Sequence, residues 1–550
     1  MNTVESSPRP TSLLDRFSFP FFFFLTLLTS IIILSPYLNY QPFISQGDHG
    51  RDLYCFKKTM EGALPYRDYS WLFGPLMPYY YALFYKFLGV SIQSVLVGQM
   101  ILTTGVSVLI FLIGTVFLTP VMSFLCALWY LAFRQAEFFY TYNHIGGIVA
   151  LLACIYFLFR YIAGGRMIFI RWGIGSLFLL MLIRLNMGIS SLVAFLLCLF
   201  IVDKTKRNPL RGQNQRHAFF LCALAVGLTA MIYSLLFFGT PEYVVRQSLP
   251  FSQSQRADLT NSPLRAIGLL VDILFSMLTA TPYHQLLACI FLLLFLHFIV
   301  SRRRFLWPES VKINFPLVFA CLGIFIFFDL HEFVASGVHY RLYWVMSLAL
   351  IAIFYFSDLV SRLMLAPFIR KLFLLTIVVV CWMAIRNQYL FVQMVKHAGN
   401  GLFLGTNKVF TQQSPDWFQT VRDTTSFLQK NVPANETFFA APFDPIYYFL
   451  TGKDAPTRQL VFFEHFSMPE AQDREVMADL ENHHVNYVVL SNRGDTPEPG
   501  LGTFGKTYGV TLAKYLEKNF TAVASFGDWR TVPGWAWNHA TMILKRKNSI

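Results

Sequence analysis

The amino-acid sequence predicts an α-helical polytopic membrane protein of about eleven spans that ends in a small mixed α/β domain. Two observations support this fold class. The chain is 55% hydrophobic and 13% charged, and that charged share is about half the roughly 25% typical of soluble domains. Apolar runs of spanning length recur along residues 18–388 and then stop. We therefore expect a transmembrane domain over residues 1–390 and a separate domain over residues 391–550.

Eleven apolar runs are close to the length of about 20 residues that a transmembrane helix needs. They cover residues 18–37, 93–117, 119–134, 145–162, 169–184, 187–202, 217–238, 283–300, 314–330, 340–360 and 368–388. Arg9 and Arg16 precede the first run, and a small-residue cleavage site is not evident after it. We interpret this run as a retained helix and not as a signal peptide.

The basic residues indicate how the spans are oriented. The formal net charge is +14, and much of it lies in short loops, where lysine and arginine set topology rather than form a nucleic-acid groove. With a cytoplasmic N-terminus, and with residues 264–283 not crossing, four basic loops lie inside: 164–171, 203–217, 301–312 and 362–371. Residues 264–283 carry Arg265 and Asp272, which are costly in lipid, so we predict an amphipathic helix at the outer interface.

This topology places two large segments on the outer side, the first loop (residues 39–92) and the C-terminal domain. In the first loop we predict one helix from Gly47 to about Met60 and, after a Gly74-Pro75 break, an aromatic helix over residues 75–89. The tyrosines of the second helix suit the headgroup region. Both helices are therefore predicted to lie at the membrane interface.

Three aspartates of the first loop are candidate functional groups. Asp48 and Asp52 are four residues apart and share one face of the predicted helix, and Asp68 follows in the turn. A carboxylate at this boundary can deprotonate an acceptor that attacks a lipid-borne group, or it can hold a divalent metal ion against a phosphate. The alternative is that these acids only pair with Arg51 and Arg67 and keep the loop solvated.

The C-terminal domain alternates helix-like and strand-like patterns. They are SPDWFQTVRDTTSFLQKNV, ETFFAAP, PEAQDREVMADLENHH, VNYVVLSN and ATMILKR, in that order. Such an alternation of the two hydrophobic periods predicts a mixed α/β domain.

The order of motifs in the first loop resembles that of a known family. GDHG (47–50) is followed by EGALPYRD (61–68) and by GPL (74–76) before the aromatic helix. This order is similar to the opening of bacterial membrane glycosyltransferases of the protein O-mannosyltransferase and aminoarabinose-transferase type, within the GT-C superfamily. The run PFDPIYYFLTGKDAPTR (442–458) also resembles that family's C-terminal domain. The specific part of the likeness is residues 47–89.

The resemblance implies that the protein takes a sugar from a polyprenyl-phosphate carrier and passes it, usually with inversion, to an acceptor. Asp48 matches the family's proposed catalytic base, and Asp68 matches the aspartate of its Pro-Tyr-x-Asp motif, a structural or acceptor-side residue. His49 stands where the family often has a glutamate, which departs from a two-carboxylate metal site. Asp48, His49 and Asp68 are the candidate catalytic residues. No cofactor is assigned, and a divalent metal ion stays open.

The carrier phosphate requires a cationic site near the outer interface. Arg184 lies where span five turns into span six, and Arg341 lies at the outer start of span ten, two residues after His339. The planar guanidinium fork suits phosphate oxygens. The alternative is that arginines at span ends extend to the interface without contacting a ligand.

The second outer loop, residues 133–147, is the other expected wall of the site. Its candidates for substrate binding are Glu137, Asn143 and His144. The alternative role for a polar residue at this place is to cap the start of span four.

The sequence favours a lipid-linked sugar donor over a nucleotide sugar, because it has no P-loop, dinucleotide-binding glycine pattern or nucleophile elbow. We expect an inverting glycosyltransferase acting on a lipid, glycan or protein acceptor outside a bacterial inner membrane. One alternative is a lipid-linked glycan transporter or flippase, which would show inverted repeats that are not evident here. Another is an O-antigen polymerase or ligase, which typically has a large loop between late spans, whereas the loops after residue 283 are short.

Overall fold

The computed structural model describes residues 13–133, 142–205, 212–236, 268, 315–331, 343–364, 367–399, 401–404, 407–462, 470–492, 502–529 and 539–547. In this part of the chain the first domain is helical. Its helices are α1 (Leu13–Leu34), α2 (Asp48–Met60), α3 (Leu76–Leu88), α4 (Ile92–Gly114), α5 (Pro120–Phe133), α6 (His144–Gly164), α7 (Met167–Ile183), α8 (Leu185–Thr205), α9 (Gly212–Leu236), α10 (Phe315–Asp329), α11 (Tyr343–Met364) and α12 (Pro367–His397).

The apolar helices show an integral membrane protein. Among the described residues, six helices are long and apolar enough to cross a bilayer: α1, α4, α6, α8, α9 and α12. Helices α5, α7, α10 and α11 are shorter and also apolar. Ten predicted spans coincide with these helices. The predicted span 283–300 and the predicted interfacial segment 264–283, apart from residue 268, lie outside the described residues, so the total of eleven stays a prediction.

Helix α1 shows how the helices of this domain pack, with one side in the bundle and the other side exposed. Helix α1 packs against α4 and α5 while Phe21, Phe24 and Ile32 on its other side are exposed. Lipid tails are as apolar as the side chains, so helix association depends on close packing and on hydrogen bonds between helices. One such bond joins Ser30 Oγ of α1 to Ser107 Oγ of α4 at 3.1 Å.

The two helices predicted in the first outer loop are present as α2 and α3. Helix α3 packs on α2 and α4, burying Met77, Tyr81 and Tyr85 and exposing Leu83 and Phe87. This spacing of three to four residues produces one buried face. The loop therefore forms a layer that packs on the helical bundle through α4.

The C-terminal domain is a mixed α/β unit, as predicted. Strands β1 (Gly401–Leu404) and β2 (Asn407–Phe410) form an antiparallel hairpin. A second sheet has four strands: β3 (Phe438–Ala441), β4 (Tyr487–Ser491), β5 (Phe520–Phe526) and β6 (Thr541–Arg546). Their order is β3-β4-β6-β5, in which β3 pairs parallel with β4 and the other pairs are antiparallel. Its helices are α13 (Pro415–Asn431), α14 (Ile446–Thr451), α15 (Glu470–Asn482) and α16 (Val510–Asn519).

The C-terminal domain packs directly onto the first loop, residues 39–92. Helix α14 packs on α2, and two glycines at the start of α2 allow this close approach. A Cβ on Gly47 would lie 2.1 Å from the Phe443 ring, and a Cβ on Gly50 would lie 2.4 Å from the main-chain nitrogen of Ile446. The Ile446 amide also donates to the carbonyl of Gln46 at 3.2 Å. The start of α2, where Asp48 lies, is therefore held by the C-terminal domain.

Candidate functional site

The centre of the candidate site is an ion-paired triad on the first turns of α2. Arg51 donates from Nη1 to Asp48 Oδ1 at 3.0 Å, and from Nε and Nη2 to Asp52 Oδ1 at 3.0 and 2.7 Å. The side chain of Asp48 is 15% exposed, whereas those of Arg51 and Asp52 are 1% and 0% exposed. The acids do pair with Arg51, but in the interior of the protein. Asp48 is the most exposed member of the triad.

The charges of the triad follow from burial and from each other. Burial raises the pKa of Asp52 to about 6, against the opposing effect of the Arg51 guanidinium. Burial lowers the pKa of Arg51, but the carboxylates of Asp52 and Asp48 outweigh it and the net shift is upward. Arg51 is therefore a fixed cation. With both aspartates ionised, the triad carries one net negative charge.

The ring of Phe73 connects this triad to Arg184. The Cζ atoms of Arg51 and Arg184 each lie 5.3 Å from the centre of the Phe73 ring, which is within cation–π distance. Tyr66 fixes Phe73 by donating from its hydroxyl to the Phe73 carbonyl. Gly74 lies directly against the end of α7, donating to the Ile183 carbonyl at 2.9 Å. The loop thus places Arg184 and the acidic start of α2 around one aromatic ring.

The start of α6 meets the same place through Tyr142. The ring centres of His49 and Tyr142 are 5.0 Å apart, and those of Phe73 and His144 are 6.3 Å apart. Asn143, which is buried, precedes α6, and its side chain makes no capping hydrogen bond. The structure thus brings Asn143 and His144 close to α2, and Asn143 does not act as a side-chain cap.

His49 and Asp68 are held by local interactions. His49 is buried, and its Nδ1 accepts from the Ser45 amide at 2.9 Å while Ser45 Oγ accepts from the Asp48 amide at 3.3 Å. This reciprocal arrangement closes the start of α2 in the manner of a capping box. Asp68 is exposed and pairs with Arg67 at 2.8 Å, and it also accepts from the Leu64 amide at 2.7 Å. Both contacts stabilise the turn.

Three predicted site residues, Glu137, His339 and Arg341, lie outside the described residues. A divalent metal ion does not fit the residues that the structure describes. No group of three His, Cys, Asp or Glu side chains with ligand geometry occurs in that part of the chain. In addition, Asp48 and Asp52 share the Arg51 guanidinium, which takes the place of a cation.

Sequence reasoning missed two buried charged residues, one in the site and one in the helical bundle. One is Arg51, whose side chain is buried. The D-x-x-R-D spacing places Asp48, Arg51 and Asp52 close together on the helix, but it does not show whether they are buried. The other is Asp329 at the end of α10, which is buried and accepts from Ser190 Oγ at 2.9 Å and Ser191 Oγ at 3.0 Å. An aspartate at the end of an apolar run was the available signal.

Comparison with known proteins identifies the architecture. No family model and no curated protein sequence matches the chain. ArnT from Cupriavidus metallidurans, in a structure bound to undecaprenyl phosphate, superposes with a TM-score of 0.58 at 11% sequence identity, covering 94% of this chain and 97% of ArnT. The Archaeoglobus fulgidus oligosaccharyltransferase, in complex with Zn and sulfate, superposes with a TM-score of 0.50 at 12% identity, covering 91% of this chain and 71% of its own. The chain has the GT-C fold. The resemblance that the sequence indicated is confirmed at the level of the fold.

Proposed function

We propose that this protein is an inverting GT-C glycosyltransferase that moves a sugar from a polyprenyl-phosphate carrier to an acceptor on the outer side of the membrane. The observation that carries the proposal is Asp48, a partly exposed carboxylate at the start of α2 that is anchored by the buried Arg51. The GT-C fold and the undecaprenyl phosphate bound to ArnT support a lipid-linked donor. The acceptor is a lipid, a glycan or a protein of the cell envelope.

The proposed chemistry is a single displacement. Asp48 accepts the proton of the acceptor's hydroxyl or amine as that atom attacks the anomeric carbon of the sugar. The bond from this carbon to the phosphate oxygen breaks, and its electron pair leaves with the polyprenyl phosphate. Attack from the side opposite the phosphate inverts the anomeric centre.

Arg184 is proposed to stabilise the phosphate as negative charge develops on it. The residue is buried at the break between α7 and α8, and its guanidinium stacks on Phe73 close to the triad. A fixed cation in a site that excludes water stabilises such charge more strongly than it would in solvent. Asn143 and His144 are proposed to line the site beside it. Arg341, His339 and Glu137 remain candidates for its remaining wall.

The proposal is tested by measuring transfer from a panel of radiolabelled polyprenyl-phosphate sugars to membrane acceptors. We expect Asp48→Asn to lower transfer about 10²- to 10⁴-fold, the range typical of a general base, with carrier binding retained. The matched control is Asp454→Asn, which removes an exposed ion pair with Lys58 of the same helix and should leave transfer unchanged.

Two outcomes would refute parts of this proposal. Undiminished transfer by Asp48→Asn would remove Asp48 from the role of base. Absence of transfer from every donor, together with movement of the lipid-linked sugar across vesicles, would show a transporter and not an enzyme.

A further inference from the structure

The geometry of the triad poses a chemical problem for Asp48. Its Oδ1 lies 3.0 Å from a guanidinium nitrogen of Arg51, and a cation this close favours the ionised form of a carboxyl group. The partial positive charge at the N-terminus of α2 also stabilises the ionised form of Asp48. A carboxylate that is stabilised in this way is a weak base, and base catalysis requires a pKa nearer the working pH.

The remaining member of the triad offers a solution. Asp52 receives two of the three hydrogen bonds that Arg51 makes within the triad, both on Oδ1 and the shorter at 2.7 Å. Asp52 is buried, so its charge is little screened by solvent. Asp52 therefore offsets most of the positive charge that Asp48 would otherwise feel. Its own negative charge also repels the charge on Asp48.

We propose that Asp52 is a positioning residue that holds the Arg51 fork and its charge, and thereby keeps Asp48 basic at neutral pH. This inference rests on the proposed function, in which Asp48 is the base. Asp52 itself touches no reacting atom. It acts on the reaction through Arg51 and through its charge.

Within the described residues, titratable side chains face the triad from α2, from α3 and from the segment before α6. From α2, Cys55 faces Arg51 and Asp52, and His49 is held by the Ser45 amide. Tyr81 and Tyr85 of α3 and Tyr142 before α6 also face Asp52.

The Cζ atom of Arg51 lies 5.6 Å from the centre of the Trp71 ring. The guanidinium of Arg184, the neighbouring cation, packs on the Phe73 ring. Burial raises the pKa of Asp52 to about 6, so the charge of this buried neighbour of Asp48 changes between pH 5 and 7.

The expected pH dependence follows in sign from this arrangement. Burial raises the pKa of Asp52 to about 6, so Asp52 is ionised at pH 7 and neutral at pH 5. When Asp52 takes up a proton, it no longer neutralises the charge of Arg51. The guanidinium then stabilises the carboxylate of Asp48 more strongly, and Asp48 becomes a weaker base. Transfer by the wild type should therefore fall as the pH drops through about 6. Because the titrations of Asp48 and Asp52 are coupled, the pH at which transfer falls is a property of the pair and not of Asp52 alone.

The test compares pH profiles of kcat/KM for wild type, Asp52→Asn, Asp52→Glu and Asp454→Asn. In Asp52→Asn we expect the fall near pH 6 to disappear and transfer at pH 7.5 to drop about 3- to 30-fold, because Asp48 is then permanently a weaker base. Asp52→Glu, which restores the charge, should recover the fall, and Asp454→Asn should match the wild type. A purely structural role would lower transfer equally at all pH values. Retention of the fall in Asp52→Asn would overturn the inference.

A second measurement does not depend on transfer. Infrared difference spectra of ¹³C-aspartate-labelled protein, wild type minus Asp48→Asn, report the titration of Asp48. Removal of Asp52 should lower that midpoint by about one unit or more, and by reciprocity Asp48→Asn should lower the midpoint of Asp52 even if Asp52→Asn does not fold. Unchanged midpoints refute the inference. Full transfer by Asp48→Asn refutes the proposed base instead.

Discussion

At the scale of single residues, Arg184 shows how a break between helices creates a functional position. Its extended backbone (φ −147°, ψ 106°) ends α7, and its guanidinium lies on Phe73. We expect Arg184→Gln to weaken binding of undecaprenyl phosphate about 10- to 100-fold, because a charge-assisted contact is lost. Arg184→Lys should lie between this variant and the wild type, since it keeps the charge without the fork. Displacement of a labelled carrier measures both.

The matched control for Arg184 is Arg160, which also stacks on an aromatic ring. Its Cζ lies 5.2 Å from the centre of Phe169, towards the opposite end of α6 from Asn143 and His144. Arg160→Gln should therefore leave carrier affinity unchanged. Equal losses in Arg160→Gln and Arg184→Gln would mean that the effect is one of folding and not of phosphate contact.

The residue types of the site could be predicted from sequence, but their burial could not. The spacing of Asp48 and Asp52 predicted a shared helix face, and the structure adds Arg51 buried between them. The burial of the site residues depends on contacts between segments that are distant in sequence. The contact between Phe73 and Arg184 is one of them. The spacing of the aspartates along the chain carries no information on contacts of this kind.

At the scale of elements, α2 and α14 meet at a distance that only glycine permits. Ala is a better helix former than Gly by about 1 kcal/mol, yet a Cβ on Gly50 would lie 2.4 Å from a main-chain atom of Ile446. We expect Gly50→Ala to lower the free energy of unfolding by about 1–3 kcal/mol, as overpacking does. The thermal unfolding midpoint in detergent measures the change.

Gly175 of α7 provides the opposite case. A Cβ there meets nothing within 4 Å, so Gly175→Ala should raise the midpoint through helix propensity alone. A Gly50→Ala protein as stable as the wild type would show that α2 and α14 are not packed this closely.

The elements that the sequence predicted are those with a clear period or a clear start. Helix α13 follows Ser414, whose Oγ accepts from the Trp417 amide at 3.2 Å, a capping pattern that is legible in sequence. Neither α16 nor β5 is predicted from the sequence, because the strand follows the helix without an intervening loop residue, from Asn519 to Phe520. Helix α14 was missed because six residues are too few to show a helical period.

At the scale of the whole molecule, the first loop and the C-terminal domain form one layer on one side of the helical bundle. Main-chain bonds join them repeatedly, among them Ser70 N to Arg458 O at 2.8 Å and Gln41 N to Phe410 O at 3.0 Å. The helix α12 continues to His397, so the sheets begin after residue 400 and not at the predicted boundary of 390. Because the two segments are in contact, they must lie on the same side of the membrane.

The distribution of basic residues predicts on which side of the membrane this layer lies, and cysteine labelling can test that prediction. Positive loops stay in the cytoplasm, so residues 164–171 should be inside and α13 outside. The described cysteines are buried, whereas Ala163 and Gln429 are exposed. In intact cells whose inner membrane is sealed, an impermeant maleimide should label Gln429→Cys, and it should label Ala163→Cys only after permeabilisation, with the wild type as background. The reverse pattern would place Asp48 in the cytoplasm, away from a carrier presented in the outer leaflet, and would contradict the proposed reaction.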